Sequence, residues 1–186
     1  MKAKIFYVSE TGFTRRYAQW IAEETGLEAV DSWREGDPAI QDCAMLVIGS
    51  PVYGGEICGK NRLKKLLRAN KNAKKLIFLT GLAPENPQRL RELCRHDLGM
   101  GEDISLWYFP GGLDKEKLAP SRRTELFLYR VMMKRTRDRT DTIAQLLRRT
   151  ENSCDLTDRE YIRTLTDAVR EWQRAYAAQE EKALRD

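Results

Sequence analysis

The feature that most constrains this chain is a pair of continuous apolar runs, residues 44–49 and 75–80, whose central residues carry no polar side chain. A strand with one face in water would alternate apolar and polar residues, whereas these runs must be buried on both faces. Helical patterns precede and follow each run. The sequence therefore predicts an α/β protein in which a parallel sheet is covered by helices on both sides.

Three further strands are predicted at residues 4–8, 27–33 and 104–109. The predicted helices begin after residue 14 and end near 26, span 60–69 and 88–98, and, late in the chain, span 121–139 and 141–149. A last helix is predicted to begin at Thr157, which forms a capping box with Glu160. Right-handed crossovers between consecutive strands would distribute the earlier helices over both faces of the sheet.

Composition excludes several classes of protein. The mean hydropathy is −0.61, and no apolar run approaches the roughly 18 residues of a membrane-spanning helix. The first residues do not resemble a signal peptide, so we expect a cytoplasmic protein. Four scattered cysteines and the single His96 offer no zinc-ligand spacing, and the sequence lacks the nucleophile elbow of a hydrolase. We therefore predict no metal site and no catalytic triad.

The segment directly after the first strand, SETGFT at residues 9–14, has the chemistry of an anion-binding loop. Three hydroxyl side chains and a glycine lead into a helix whose first N–H groups can donate to a phosphate. No lysine or arginine lies inside the loop, and neither a Walker loop nor a dinucleotide fingerprint is present. A simple helix cap without a ligand is the alternative interpretation.

This loop, placed after strand one of such a sheet, resembles the phosphate loop of the flavodoxin family. The resemblance implies a flavodoxin-like three-layer α/β/α sandwich with a five-stranded parallel sheet in the order 2-1-3-4-5, and FMN as the cofactor. The residues that would contact the FMN phosphate are Ser9, Thr11, Gly12, Phe13 and Thr14, with Glu10 contributing its backbone. Phe13 departs from the family, where a smaller polar residue is frequent.

The same resemblance implies walls for the flavin ring. One wall would be built from Ser50, Pro51, Val52, Tyr53 and Gly54, with Tyr53 against the ring, and the other from Thr80, Gly81 and Leu82. An ordinary turn that carries a half-buried tyrosine is the alternative for residues 50–55.

The segment WYFPGGLD at residues 107–114, together with the basic helix that follows, resembles a narrower branch of flavodoxin-like proteins that contains the menaquinone-dependent protoporphyrinogen oxidases. The branch implies an FMN-dependent oxidoreductase that passes electrons from a porphyrinogen to a quinone, with the chemistry on the flavin and no assigned catalytic side chain. It places Pro110, Gly111 and Gly112 near the flavin. The alternatives are an electron carrier that serves a redox partner protein, and a binding module without FMN.

Residues 114–150 are expected to form a basic helical insertion within one domain that spans residues 1–186. Residues 114–149 carry a net charge of +6, whereas the whole chain carries +5. A basic surface with an apolar stripe suits the anionic inner face of a membrane, the propionates of a porphyrin or an acidic partner protein. A solvated helix that packs on the domain is the alternative, and no motif accompanies the charge that would indicate nucleic acid.

Overall fold

A computed structural model of the protein describes residues 3–32, 43–101, 104–137 and 140–183. The strands of its main sheet are β1 (Ala3–Tyr7), β2 (Glu28–Asp31), β3 (Met45–Tyr53), β4 (Glu56–Ile57), β5 (Lys74–Gly81) and β6 (Ser105–Pro110). Five of them run parallel in the order β2-β1-β3-β5-β6, while β4 pairs antiparallel with the end of β3. The predicted order 2-1-3-4-5 of the parallel strands is confirmed.

Helices cover both faces of this sheet. The helices are α1 (Phe13–Thr25), α2 (Lys60–Ala69), α3 (Pro87–Leu93), α4 (Pro120–Arg135), α5 (Asp141–Arg149) and α6 (Arg163–Ala183). Side chains of α1 and α6 share one core with Met45 and Val47, and those of α2 and α3 share the other with Leu46 and Ile48. Because successive side chains of a strand point to opposite faces, the apolar run in β3 supplies both cores, as predicted.

The third strand continues beyond the predicted run, so the loop predicted at residues 50–55 was wrong in part. β3 extends to Tyr53, and a two-residue turn then leads into β4, with Tyr53 opposite Glu56. Gly54 (φ 60°) and Gly55 (φ 86°) both adopt the left-handed region that this tight hairpin turn requires. The glycine pair reverses the chain without a longer loop, and the strand can therefore run up to the turn.

The start of the last helix also differs from the prediction. The Thr157 hydroxyl donates to Asp155 Oδ1 (2.7 Å) instead of capping a helix with Glu160. Asp158 is the cap, since its carboxylate accepts the Glu160 N–H (2.9 Å), and a 3₁₀ turn at Arg159–Ile162 precedes α6. A capping carboxylate one residue further along replaces the predicted capping box.

Two elements, the second strand and α4, are shorter than predicted. The second strand spans four residues, and part of the predicted strand, together with the predicted turn at residues 36–38, lies outside the described residues. α4 ends at Arg135, because Thr136 takes an extended conformation (ψ 126°). The predicted continuation to residue 139 falls partly outside the described residues.

Between β6 and α6 the chain makes a helical excursion, which we define as residues 114–153. It leaves through β7 (Gly112–Leu113) and returns through β8 (Cys154–Asp155), and these strands pair antiparallel. The excursion contains α4 and α5 and has a small apolar core of Leu113, Leu118 and Leu126. The predicted helices of the 114–150 segment are therefore present, whereas its status as an insertion in a single domain stays a prediction. Across the described residues, no helix combines the length and apolarity needed to cross a membrane.

Candidate functional site

The order of the strands creates a crevice at the carboxyl edge of the sheet. β1 has β2 on one side and β3 on the other, so the connections after these strands leave in opposite directions. Ligands of open α/β sheets bind at such a switch point. The segments predicted to form the site lie at or directly after the carboxyl ends of β1, β3, β5 and β6, and these four ends share this edge.

Two of the three loop hydroxyls hold the loop in shape. Ser9 Oγ accepts from the backbone N–H groups of Gly12 and Arg15, both at 3.2 Å. Thr14 is buried, and its hydroxyl lies 2.8 Å from the hydroxyl of Thr80. The Thr11 hydroxyl lines the adjacent cavity and, within the described residues, has no hydrogen-bond partner in the protein. Two hydroxyls therefore brace the loop, and the third belongs to a residue that lines the cavity.

The cavity beside this loop has a volume of about 600 Å³ and is lined from two directions. The loop and the start of α1 form one side, and the ends of the helical excursion form the other. The full lining consists of Ser9–Phe13, Arg15, Arg16, Gln19, Asp31, Leu113, Asp114, Lys117 and Ser153–Asp155. The predicted phosphate loop thus faces the excursion.

The cavity contains cations that lie outside the hexapeptide. Arg16 pairs with Asp155, and Lys117 pairs with Asp114 at 2.8 Å. The hydrogen bond and charge of Lys117 lower the pKa of the Asp114 carboxyl. Arg15 is exposed and has no carboxylate partner in the described part of the chain. Sequence reasoning missed it because it considered the loop alone, although two arginines follow the loop directly.

Phe13 and Gly112, both predicted site residues, are in close contact. A Cβ added at Gly112 would lie 2.4 Å from two ring carbons of Phe13 and 2.6 Å from the Cys154 carbonyl oxygen. Only glycine allows β7 to approach the loop this closely. The aromatic side chain that departs from the family pattern therefore packs against the start of the excursion.

The segments after β5 and β6 are joined by their backbones. The Gly111 N–H donates to the Gly81 carbonyl at 2.8 Å. Pro110 accepts a hydrogen bond from the buried Tyr17 hydroxyl (2.7 Å), and burial raises the pKa of Tyr17 to about 12, so this phenol stays a neutral donor. The predicted residues 80–81 and 110–112 thus form one braced cluster.

The next residue, Leu82, is fixed by the excursion. Its carbonyl accepts from the guanidinium of Arg149 at 2.6 Å, and its side chain packs against the excursion's apolar core.

Tyr53 lies in contact with the excursion. The Arg122 guanidinium lies 4.8 Å from the centroid of the Tyr53 ring, and the Tyr53 hydroxyl donates to the Arg122 carbonyl at 3.0 Å. Arg122 also pairs with Glu10 (3.1 Å) and Glu125 (2.7 Å). These hydrogen bonds raise the pKa of Arg122, which therefore stays charged. Sequence reasoning missed Arg122 because nothing in the local pattern distinguishes it from the other arginines of the basic helix.

The other residues of the predicted Tyr53 wall maintain the hairpin. The buried Ser50 hydroxyl donates to the Cys58 carbonyl at 2.7 Å, and the Pro51 carbonyl accepts the Cys58 N–H at 3.0 Å. Val52 stands opposite Ile57, and Gly54 forms the turn.

A buried carboxylate, Asp97, anchors the far strand of this hairpin. It accepts the Ile57 N–H at 2.8 Å and lies 3.5 Å from the Lys60 ammonium. Burial acts to raise its pKa, but the hydrogen bonds from Ile57 and His96 and the charge of Lys60 outweigh burial and lower it. Sequence reasoning read this stretch as an ordinary helix, and it ends in a π-turn at Cys94–Leu98 that carries Asp97 to the hairpin.

Known structures show similar but distant folds. A flavodoxin from the domain Archaea is 17% identical, with 66% of this chain and 92% of that chain covered and a TM-score of 0.42. A flavoprotein from Lactobacillus acidophilus, solved in complex with FMN, is 20% identical, with 59% and 91% covered and a TM-score of 0.39. A flavoprotein from Bacteroides eggerthii is 12% identical, with 68% and 96% covered and a TM-score of 0.41.

Comparison with curated protein sequences finds no match. The family model of the flavodoxin domain, in contrast, matches residues 4–143, which include the predicted phosphate loop, Tyr53 and all of α4. This match covers about three quarters of the sequence, and the sheet order is the one that the resemblance implied. The chain belongs to the flavodoxin domain family.

Proposed function

We propose that this protein binds FMN in the crevice and acts as an FMN-dependent oxidoreductase. Bound FMN would supply the redox chemistry by accepting electrons from a donor and passing them to a different acceptor. The observation that carries the proposal is the loop at residues 9–14, where the hydroxyls of Ser9 and Thr14 brace the loop while Thr11, whose hydroxyl has no partner among the described residues, lines the cavity.

The donors at the cavity fit a phosphate. The N–H groups of Phe13 and Thr14 belong to the first turn of α1, where no intrahelical acceptor exists, and the helix dipole adds partial positive charge. The Thr11 hydroxyl and the Arg15 guanidinium add a neutral and a charged donor. A phosphate dianion would therefore be held by backbone N–H groups, the Thr11 hydroxyl and the charge of Arg15.

Tyr53 would provide the wall for the flavin ring. Its ring already packs against the planar Arg122 guanidinium, so its face accepts a flat partner. A flavin stacked on the same face would displace Arg122 and would leave Glu10 without its cation. Arg122 and Glu10 would then set how easily the ring enters.

The finer proposal is that the electrons come from a porphyrinogen and pass to a quinone. It rests on the resemblance of residues 107–114 and the basic segment after them. The position of the excursion supports it, because Lys117 and Arg122 bring cationic donors beside the crevice. The propionates of a porphyrinogen could bind them by replacing the carboxylates of Asp114 and Glu10.

FMN titration tests the cofactor. The protein is loaded with FMN, desalted and examined for the visible absorbance of bound flavin, and the Kd is measured for the wild type, Thr11→Val and Arg15→Gln. Loss of a hydrogen bond to a charged group should weaken binding roughly tenfold or more. Thr142→Val and Arg174→Gln, which are exposed on α5 and α6, serve as matched controls and should bind as the wild type does.

Turnover assays with a soluble quinone and a porphyrinogen test the substrates. Turnover with both supports the finer proposal. Bound FMN without turnover would instead indicate an electron carrier for a partner protein. A wild type that retains no FMN would contradict the redox proposal and leave a binding module.

A further inference from the structure

Helix α4 has two apolar faces, although only one of them packs on the protein. Leu126 and Met133 are buried on the inner face. On the outer face the side chains of Phe127, Leu128 and Met132 are 65%, 54% and 68% exposed. Leu128 and Met132, four residues apart, are neighbours on the helix surface. At 3.6 residues per turn Phe127 lies about 100° around the helix from Leu128, so the three exposed side chains form a broad stripe on the side opposite Leu126 and Met133. A helix that is apolar on both sides needs a partner for the second side.

This exposure is concentrated in one place. Among the described residues, five large hydrophobic side chains are exposed. Four of them belong to α4, namely the three of the stripe and Tyr129, and the fifth is Tyr161. Scattered apolar side chains are normal on a protein surface, whereas a contiguous patch indicates an interaction site.

The stripe has a basic rim. Arg135 and Arg137 are exposed at the end of α4 and just beyond it, where the stripe also ends, and neither has a carboxylate partner among the described residues. The only acid within α4 is Glu125, and it is paired with Arg122. The surface therefore combines apolar side chains with uncompensated positive charge.

We propose that the outer face of α4 docks on an anionic lipid surface, with its axis in the plane of the interface. The 16 residues of α4 give a helix about 24 Å long, too short to span a membrane but able to bury its apolar stripe at the headgroup boundary. Basic side chains beside such a stripe add attraction to anionic headgroups.

The charge disfavours a second copy of the chain as the occupant. A symmetric pair would place the stripe against its own equivalent and would bring the rims at Arg135 and Arg137 toward one another. Nothing acidic on the described part of α4 could compensate for that repulsion, because Glu125 is already paired.

Docking would also orient the crevice. The inner side of α4 carries Arg122, which contacts Glu10 and Tyr53 at the mouth of the candidate site. A docked α4 would hold the candidate site about one helix diameter, roughly 10 Å, from the lipid in which an apolar electron acceptor dissolves. This consequence rests on the proposed function, whereas the docking itself does not.

Vesicle co-sedimentation tests the docking. The full chain is mixed with vesicles of phosphatidylcholine alone or with about one third phosphatidylglycerol. The apolar variant is Phe127→Ser, Leu128→Ser, Met132→Ser, and the charge variant is Arg135→Gln, Arg137→Gln. The controls carry the same types of change elsewhere: Tyr161→Ser beside α6, and Arg174→Gln with Lys182→Gln on α6.

We expect binding to the anionic vesicles, much weaker binding to phosphatidylcholine, and unchanged binding of both controls. The apolar variant should lose binding. The charge variant should bind about tenfold or more weakly, since each basic group near an anionic surface contributes about 1 kcal/mol.

Three results would overturn the proposal: no binding by the wild type, apolar-variant binding equal to the wild type, or equal loss in the controls. Sedimentation equilibrium without vesicles shows whether a dimer that the apolar variant disrupts occupies the face instead. Circular dichroism confirms that every variant is folded. FMN retention is scored separately, so failure of the redox proposal and failure of the docking proposal are distinguishable.

Discussion

Replacing Gly112 by alanine gives the most direct test of the contact between the excursion and the predicted phosphate loop. The new Cβ would lie 2.4 Å from the Phe13 ring and 2.6 Å from the Cys154 carbonyl oxygen. The Phe13 ring could rotate away. The carbonyl belongs to β8, however, and its movement would disturb the β7–β8 pairing.

The expected cost follows from two opposing effects. Overpacking a close contact costs about 1–3 kcal/mol, and glycine-to-alanine substitution regains about 0.4–1 kcal/mol by restricting the unfolded chain. Because one of the contacts, at 2.6 Å, is with a backbone atom, the overpacking cost should lie in the upper part of its range, about 2–3 kcal/mol, and the net destabilisation of Gly112→Ala should be about 1–2.6 kcal/mol. For a protein of this size that corresponds to a fall in Tm of about 2–10 °C.

Urea unfolding and thermal melting measure this cost, with Gly101→Ala as the matched control. A Cβ at Gly101 would meet nothing within 4 Å, and its backbone is not left-handed, so the control should be neutral or slightly stabilised. We also expect Gly112→Ala to weaken FMN binding, because Phe13 must shift. Wild-type stability in Gly112→Ala would refute the contact.

Three other changes test the site. Because the pKa of Asp97 is lowered in the folded state, its carboxylate stabilises the fold at pH values above the ordinary carboxyl pKa of about 3.9. This stabilisation is lost as the pH falls through the lower folded-state pKa. Asp97→Asn removes the effect, so a plot of its urea midpoint against pH should be flatter on the acid side than that of the wild type. Tyr17→Phe removes the 2.7 Å hydrogen bond to the Pro110 carbonyl and should cost about 1–3 kcal/mol in urea unfolding. Arg122→Gln removes the guanidinium that covers the Tyr53 ring and that the flavin would have to displace, so it should tighten FMN binding by about 3–10-fold. Because Glu10 acts by holding Arg122 in place, the Arg122→Gln, Glu10→Gln double variant should gain little beyond Arg122→Gln, and additive gains of the two single variants would contradict the coupling.

The sheet was predictable because its determinants are local. A run such as residues 45–48 must be covered on both faces, and the alternation with helices then leaves few arrangements. The boundaries that were wrong depend on competition between neighbouring residues. Two glycines after Tyr53 extend β3 into a hairpin, and Asp158 takes the cap that Thr157 was predicted to form.

The candidate site was only half predictable. The hexapeptide at residues 9–14 is contiguous, so its chemistry is visible in the sequence. Arg122 reaches the same crevice from more than a hundred residues away, and a π-turn brings Asp97 to the hairpin that carries Tyr53. The position of such residues depends on tertiary packing, which no local pattern encodes.

The contacts of the excursion divide its basic residues into two groups, and this division bears on both interpretations of its charge. Arg122 pairs with Glu10, Arg130 donates to the Leu147 carbonyl, and Arg149 donates to the Leu82 carbonyl. These arginines build the excursion and fix it to the crevice.

Arg135 and Arg137, in contrast, are exposed beside the apolar stripe of α4. The interpretation of a basic helix that packs on the protein therefore holds for the inner face of α4, and the docking proposal concerns the outer face alone. Because the two groups are separate, neutralising the outer charges should leave the fold and the crevice intact. Any loss of vesicle binding in Arg135→Gln, Arg137→Gln would then report on the surface and not on the site.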